Sequence, residues 1–261
     1  FSGPKTYLVM FENSTELRPT GGFFGSYGLI TVENGRIRQA QFGDPYTLDK
    51  TVDPNTRPKS PKPIDDHTSI GRWFLRDANW DPDFPTSAAR VLQFWHEEGG
   101  GGNPDGIIGI TTHVFEQILE FTGPLTVHGV KFESKTAVAT LEEEVERNWA
   151  KRGFAWENRK AMVGELGEAL IDNLHISSPT RWPGLYSLGQ TLLQNGDIRI
   201  WMRDPAMQQK IAAQKWDGAV RPGTSDFLMI VDANLAALKT DPVVRRSARY
   251  GVALENNQAV A

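Results

Sequence analysis

The chain has 261 residues, 39% of them hydrophobic, and a formal net charge of −4. That length and apolar content support a substantial core in one large or two small domains, while the slightly acidic balance leaves no basic stripe for a nucleic-acid backbone. The absence of cysteine excludes disulfides and thiolate chemistry, and no apolar run reaches the length of a membrane span.

Residues 7–11 form a short, continuous apolar run, the pattern of a strand buried on both faces. The run leads straight into Glu12-Asn13-Ser14-Thr15-Glu16-Leu17-Arg18-Pro19-Thr20-Gly21-Gly22-Phe23. The exit of a buried strand is where open α/β sheets hold ligands. Gly21 and Gly22 permit a close backbone or ligand approach, and Arg18 with the loop amides forms a candidate anion site. An ordinary turn is the plainer reading of the glycine pair. Residues 27–42 read as a hairpin turning at Asn34-Gly35. Residues 53–63, dense in proline, read as an excursion loop.

Residues 76–85 pack one guanidinium, three carboxylates, a carboxamide and two aromatics around two prolines, so they read as a held loop. Arg76 supplies a bidentate clamp for phosphate or carboxylate. Asp77, Asp81 and Asp83 supply hard oxygen donors for a divalent ion. A surface turn pinned by Trp80 and Phe84 is the alternative.

Residues 86–95 look helical and end at the glycines 99–102; residues 105–110 form a second buried strand. A helix through Val114, Ile118 and Phe121 closes at Thr122-Gly123-Pro124, and residues 125–127 start a short strand. Leu141, Val145 and Trp149 share one helix face, with Glu142, Glu143, Glu144 and Glu146 forming a solvated acidic face opposite. Met162, Leu166, Leu170 and Leu174 repeat that spacing in another helix. Residues 199–202 and the helical 206–214 precede a last strand, 227–231, which exits into Asp232-Ala233-Asn234. If that strand runs parallel beside the first, Asp232, Asn234 and Lys239 join the wall of the same cleft; turn capping is the alternative for Asp232 and Asn234. Strands alternating with helices predict one α/β domain over residues 1–261, a three-layer α-β-α arrangement around a central mixed sheet. The five histidines show no metal-ligand spacing, and Ser14, Ser26 and Ser87 lack a nucleophile elbow.

In this order the elements resemble the LytR–CpsA–Psr superfamily. They are closer still to a bacterial branch, a domain of unknown function, carrying the Glu-Leu-Arg-Pro-Thr-Gly-Gly-Phe motif of residues 16–23 and the Arg-Asp-Ala-Asn-Trp motif of residues 76–80. Asp105-Gly106-Ile107-Ile108-Gly109-Ile110, followed by Val114-Phe115, Leu119 and Thr122-Gly123-Pro124-Leu125-Thr126-Val127, is similar to the strand, helix and turn at the centre of that superfamily. The resemblance implies transfer of a glycan from a polyprenyl-pyrophosphate carrier, with arginines and magnesium at the pyrophosphate and the lipid in an apolar tunnel. It places Asn13 where the superfamily has an aspartate, Arg18 near an arginine, and Arg76 where a lysine precedes an Asn-aromatic pair like Asn79-Trp80. Arg159 falls on the arginine ahead of two glutamines, here Lys160 and Ala161. Thr20-Gly21-Gly22 replaces an Arg-Ser-Asp element and Gly43-Asp44-Pro45 stands near a Pro-Arg-Asp, so Asp44, Asp77 or Asp81 would have to hold the metal. The resemblance further implies an extracytoplasmic piece of a membrane-anchored protein, with an N-terminal anchor and a C-terminal extension outside residues 1–261.

Three functions are open at this stage. In the first, Arg18, Arg76, Arg159, Glu12 and Asp77 act as a metal-assisted phosphotransferase or pyrophosphate hydrolase on a lipid-linked glycan. The second is a glycoside hydrolase or transglycosidase, using two of Glu12, Glu16, Asp44, Asp77 and Asp232 held about 5–5.5 Å apart or wider. The third is a non-catalytic glycan-binding module.

Overall fold

The computed structural model describes residues 3–68, 70–153, 155–176, 179–224, 226–235, 239–251, 253–255 and 258–260. Its strands are β1 (Lys5–Asn13), β2 (Phe23–Glu33), β3 (Arg36–Gly43), β4 (Gly106–Thr111), a small hairpin of β5 (Leu125–Val127) and β6 (Val130–Phe132), β7 (Ile198–Met202), and a second small hairpin of β8 (Ala253–Glu255) and β9 (Gln258–Val260). The central sheet runs in the order β3-β2-β1-β4-β7. Its β1–β4 pair is parallel and the other three pairs are antiparallel, so the expected mixed sheet is present. The hairpin turn carries Asn34 at φ 51° and Gly35 at φ 73°, the left-handed pair that a two-residue turn needs.

The helices are α1 (Pro45–Asp49), α2 (Lys62–Thr68), α3 (Phe84–Glu97), α4 (Thr112–Thr122), α5 (Ala137–Glu143), α6 (Ala161–Ile176), α7 (Trp182–Asn195) and α8 (Pro205–Ala213). They cover both faces of the sheet. On one side α3 starts where the Asp83 carboxylate caps the Thr86 amide, with Pro85 in the first turn. Its Ala88, Val91, Phe94 and Trp95, at helical spacing, pack on Leu8, Met10, Phe24 and Ile107. On the other side α4, α5 and α6 build a second core from Leu119, Val127, Phe132, Val145, Met162 and Leu166. There Phe11 and Phe42 stack at 6.0 Å, and Phe42 presses against α6 at Gly167. A β-carbon at Gly167 would lie 2.6 Å from the Phe42 ring, so glycine sets how closely this helix approaches β3.

Three expectations are corrected. Residues 227–231 form no strand; they are exposed, Ile230 by 61%. Both edges of β1 are taken by β2 and β4, so there is no place beside it for another strand. The acidic run 142–146 is not a solvated face: α5 passes into a π-turn (Glu144–Asn148), and Glu144 is buried against Arg152. Helix α7 went unread; it turns Leu185, Leu188 and Leu192 inward and leaves Trp182 and Tyr186 exposed.

Gly167→Val is expected to cost about 1–3 kcal/mol through overpacking against Phe42. The urea midpoint reads this loss, and the far-ultraviolet circular dichroism of the sheet should be unchanged.

Candidate functional site

Strand β1 delivers Glu12 to the centre of the molecule, where it is 1% exposed. One carboxylate oxygen accepts from the Thr20 hydroxyl and from the Asn79 amide at 3.2 Å; the other is ion-paired with Arg199 of β7. The Asn79 amide nitrogen also lies 2.8 Å from Thr20 Oγ1 and 2.9 Å from the Gly22 carbonyl oxygen. Glycine is required beside this knot. A β-carbon at Gly22 would fall 2.5 Å from the Asn13 carbonyl carbon, and Gly21, at φ 125°, sits against the Arg199 guanidinium. Burial pushes the Glu12 carboxyl above the usual range although Arg199 pulls it down.

A chain of alternating charges runs beside the knot. Arg18 is buried, with Nη2 3.3 Å from Glu16 and 3.7 Å from Asp77, and it donates to the Asn234 carbonyl. Asp77 lies 3.4 Å from Arg76 Nε, and the Arg76 fork pairs with Asp49. Asp49 hydrogen-bonds to Glu98, which is fully buried, accepts the Leu75 amide at 2.9 Å and lies 3.1 Å from Arg57. Burial and the neighbouring Asp49 carboxylate push Glu98 up to about 8, so Glu98 carries its proton at neutral pH. Burial also raises Glu16 and Asp77 against the pull of their arginines.

On the α4–α6 side of the sheet opens a cavity of about 350 Å³. Its depth is apolar, bounded by Phe11 and Ile110 of the sheet, Phe115 and Ile118 of α4, Leu141 of α5, and Leu166 and Leu170 of α6. Its mouth is charged, with Glu16, Glu142, Glu146, Arg159, Lys160 and Lys239 beside Asn13 and Tyr46. Lys239 Nζ lies 2.9 Å from Glu146 and 3.7 Å from Glu142. Glu142 in turn accepts from Asn13 at 3.0 Å and from the Thr15 hydroxyl. Lys160 Nζ sits 2.9 Å from Asp44, donates to the Gly25 carbonyl at 2.7 Å, and lies 5.1 Å from the Tyr46 ring centre. Burial lowers the Lys160 ammonium below its ordinary range, opposed by Asp44. Arg159 stacks on Trp156 at 4.1 Å, with Nε 4.0 Å from Glu146. Tyr46 links mouth and charge chain, because Arg76 lies 4.7 Å from the same ring.

Lys239, at φ 48°, arrives on a C-terminal arm tied to the Glu-Leu-Arg-Pro loop. The Asn234 amide donates to the Leu17 carbonyl at 2.9 Å, and the Asp241 amide to the Thr15 carbonyl at 3.3 Å. The Leu17 amide donates back to the Asp241 carboxylate at 2.9 Å.

Residues 2–145 match the model of a family described as protein of unknown function, DUF4012. The chain belongs to this family. The DUF4012 match contains both motif loops, the sheet through β4, and α4. Among solved structures the chain is similar to Lin1025 of Listeria innocua, at 9% identity and TM-score 0.44, covering 82% of this chain and 79% of that one. It is similar to gbs0355 of Streptococcus agalactiae, at 12% identity and TM-score 0.45, covering 83% and 74%. It is similar also to B. subtilis TagV, at 12% identity and TM-score 0.40, covering 83% and 80%. These likenesses concern the course of the backbone and assign no residue a role. No curated protein matches.

In this DUF4012 chain the sequence candidates divide. Glu12, Asn13, Arg159 and Lys239 line the cavity. Arg18 and Arg76, read from sequence as anion-binding arginines, and Asp77, read as a catalytic group and metal donor, pair with one another and with Glu16 and Asp49 inside the charge chain. Gly21, Gly22 and Asn79 belong to the Glu12 knot, and Trp80 stands half-buried outside the lining. Asp232 is half-exposed and 3.4 Å from Arg246, while Asn234 donates to Asp241 at 2.9 Å, seven residues on; neither lines the cavity. The metal candidates do not share a site. Asp44 holds Lys160, Asp77 lies between two guanidiniums, and Asp81 accepts the Asp83 amide at 2.9 Å. Among the described residues no group of three or more His, Asp or Glu is placed to hold an ion. Each carboxylate weighed for a glycosidase pair also faces a cation: Glu12 has Arg199, Glu16 has Arg18, Asp44 has Lys160, Asp77 has Arg18 and Arg76, and Asp232 has Arg246. Sequence reasoning missed Glu142, Glu146 and Lys160 as mouth residues. The adjacent cations Arg159-Lys160, at the start of an apolar helix, were the available signal for the last of these.

Two outcomes follow from the buried network. Glu12→Ala leaves the Arg199 charge buried without its partner and is expected to cost about 3–5 kcal/mol in urea unfolding. Glu98 holds its proton more tightly folded than unfolded, so its contribution is complete at low pH and is lost as pH rises through about 8. Stability measured from about pH 5 to about pH 9 should therefore fall in the wild type, and Glu98→Gln should flatten that part of the profile.

Proposed function

We propose that this chain binds a polyprenyl-pyrophosphate-linked glycan and transfers the glycan phosphate to an envelope acceptor. The observation that carries this reading is the cavity: apolar along its depth and set at its mouth with three cations among three carboxylates, it suits a ligand with a hydrocarbon tail and a charged, polar head. The prenyl chain lies against Phe11, Ile110, Phe115 and Leu170, and the phosphates meet Arg159, Lys160 and Lys239. These cations stabilise charge developing on the phosphoryl oxygens. Glu16, raised by burial and lining the mouth, is suited to take the proton of the acceptor hydroxyl. The hydroxyl oxygen bonds to the sugar-side phosphorus, the bond from that phosphorus to the bridging oxygen breaks, and prenyl phosphate leaves. Water in place of the acceptor gives pyrophosphate hydrolysis by the same steps. Such substrates belong to the cell envelope, so an extracytoplasmic site at a membrane surface is part of the proposal.

Magnesium suits the donors poorly, because Asp44, Asp77 and Asp81 are each occupied by different partners. We assign the neutralisation of the pyrophosphate to the three cations of the mouth.

A short prenyl pyrophosphate titrated calorimetrically should bind the wild type with the same affinity in excess chelator. Lys239→Ala should weaken that binding about tenfold. Incubation with a lipid-linked glycan and an acceptor should release prenyl phosphate, read by mass spectrometry. Failure of any prenyl pyrophosphate to bind would end the proposal, and binding that vanishes with chelator would restore a metal to it.

A further inference from the structure

We propose that a second, polar cavity beside the mouth is the subsite for the first sugars of the same ligand, with Lys160 as the post between tail and glycan. This rests on the lipid-linked reading above and adds the chemical class of the sugar. The second cavity has a volume of about 380 Å³, within the range of ligand-sized sites, and shares Ser26, Lys160 and Val163 with the apolar one. A ligand continuous through Lys160 therefore changes surroundings where its own chemistry changes, from hydrocarbon through phosphate to sugar.

The walls differ in the sense this requires. The apolar cavity has the hydrocarbon lining already described, whereas the second presents Asp44, Thr47, Asn158, Glu165 and Glu168. A saccharide offers many hydroxyls that donate and accept, and carboxylates, an amide and a hydroxyl answer both needs. Phe42, half-buried between Phe11 and α6, contributes part of its apolar side to the wall, and Gly164 lets α6 approach it, since a β-carbon there would lie 3.1 Å from Phe42 Cβ.

The charge pattern selects among sugars. Asp44 is neutralised by Lys160, and Glu165 lies 3.2 Å from His128. Glu168, exposed on α6, has no ion pair among the described residues and leaves the subsite with negative character. A neutral hexose or an amino sugar fits beside the phosphate, and a uronic acid is repelled.

The test compares three probes by calorimetry: a short prenyl pyrophosphate alone, the same lipid carrying a neutral hexose, and the same lipid carrying a uronic acid. The wild type should bind the neutral glycolipid about tenfold more tightly than the bare lipid, and the acidic one no more tightly than the bare lipid. In the double variant Asn158→Ala, Glu168→Ala the ratio of glycolipid to bare-lipid affinity should fall towards one. Glu168→Gln should keep the preference for the neutral sugar and admit the uronic acid. A wild-type ratio near one, or a ratio unchanged by the double variant, overturns the subsite while leaving the lipid site standing. If none of the three probes binds, the lipid-linked reading itself fails and the subsite falls with it.

Discussion

The ion pair between Glu12 and Arg199, closed by Thr20 and Asn79, is the constraint on which the rest of this domain depends. It joins four distant parts of the chain: the end of β1, the loop after it, the Arg-Asp-Ala-Asn-Trp loop, and β7. A carboxylate so enclosed is tolerable only when both oxygens are satisfied, and here three partners converge on it. Because β4 lies between β1 and β7, the pair also straps across the parallel strand that α4 follows. The floor of the cavity is therefore held from the opposite face of the sheet by a polar bond rather than by packing alone.

The charge chain performs a related task nearer the mouth. Arg18, Asp77, Arg76 and Asp49 alternate in sign, so no member faces an unopposed like charge and the loops carrying them are fixed relative to one another. Such a lattice ties α1, the two motif loops and the end of α3 into one support beneath Tyr46. Ligand-facing groups are then left with fewer ways to move, which is what a site that orders a flexible amphiphile requires.

Much of the framework was legible. Asn34-Gly35 announced the hairpin because only residues tolerant of positive φ serve there, and the apolar runs at 7–11 and 105–110 became the paired strands β1 and β4. Residues 227–231 carry the same kind of apolar run yet stay outside the sheet, and the place expected for them beside β1 is taken by β2 and β4. The two motif loops meet inside the molecule, where Arg18 lies 3.7 Å from Asp77. A sequence shows an arginine fork without showing what fills it: Arg18 meets Glu16 and Asp77, and Arg76 meets Asp77 and Asp49. The acidic run at 142–146 misled for a similar reason. A π-turn shifts the helical register there, so Glu144 goes inward and Glu142 and Glu146 meet a lysine nearly a hundred residues away.

The C-terminal arm gives the mouth a mechanical property. Lys239 lies between the two ties that fasten the arm to the first motif loop, at Asn234 and at Asp241. A load drawn along the chain beyond Asp241 reaches those hydrogen bonds before it reaches any strand of the central sheet. Once they part, the ammonium leaves and Glu142 and Glu146, one turn apart on the same helical segment, lose the cation they share. Tension is thereby converted into a loss of one positive charge at the entrance, where Arg159 and Lys160 remain.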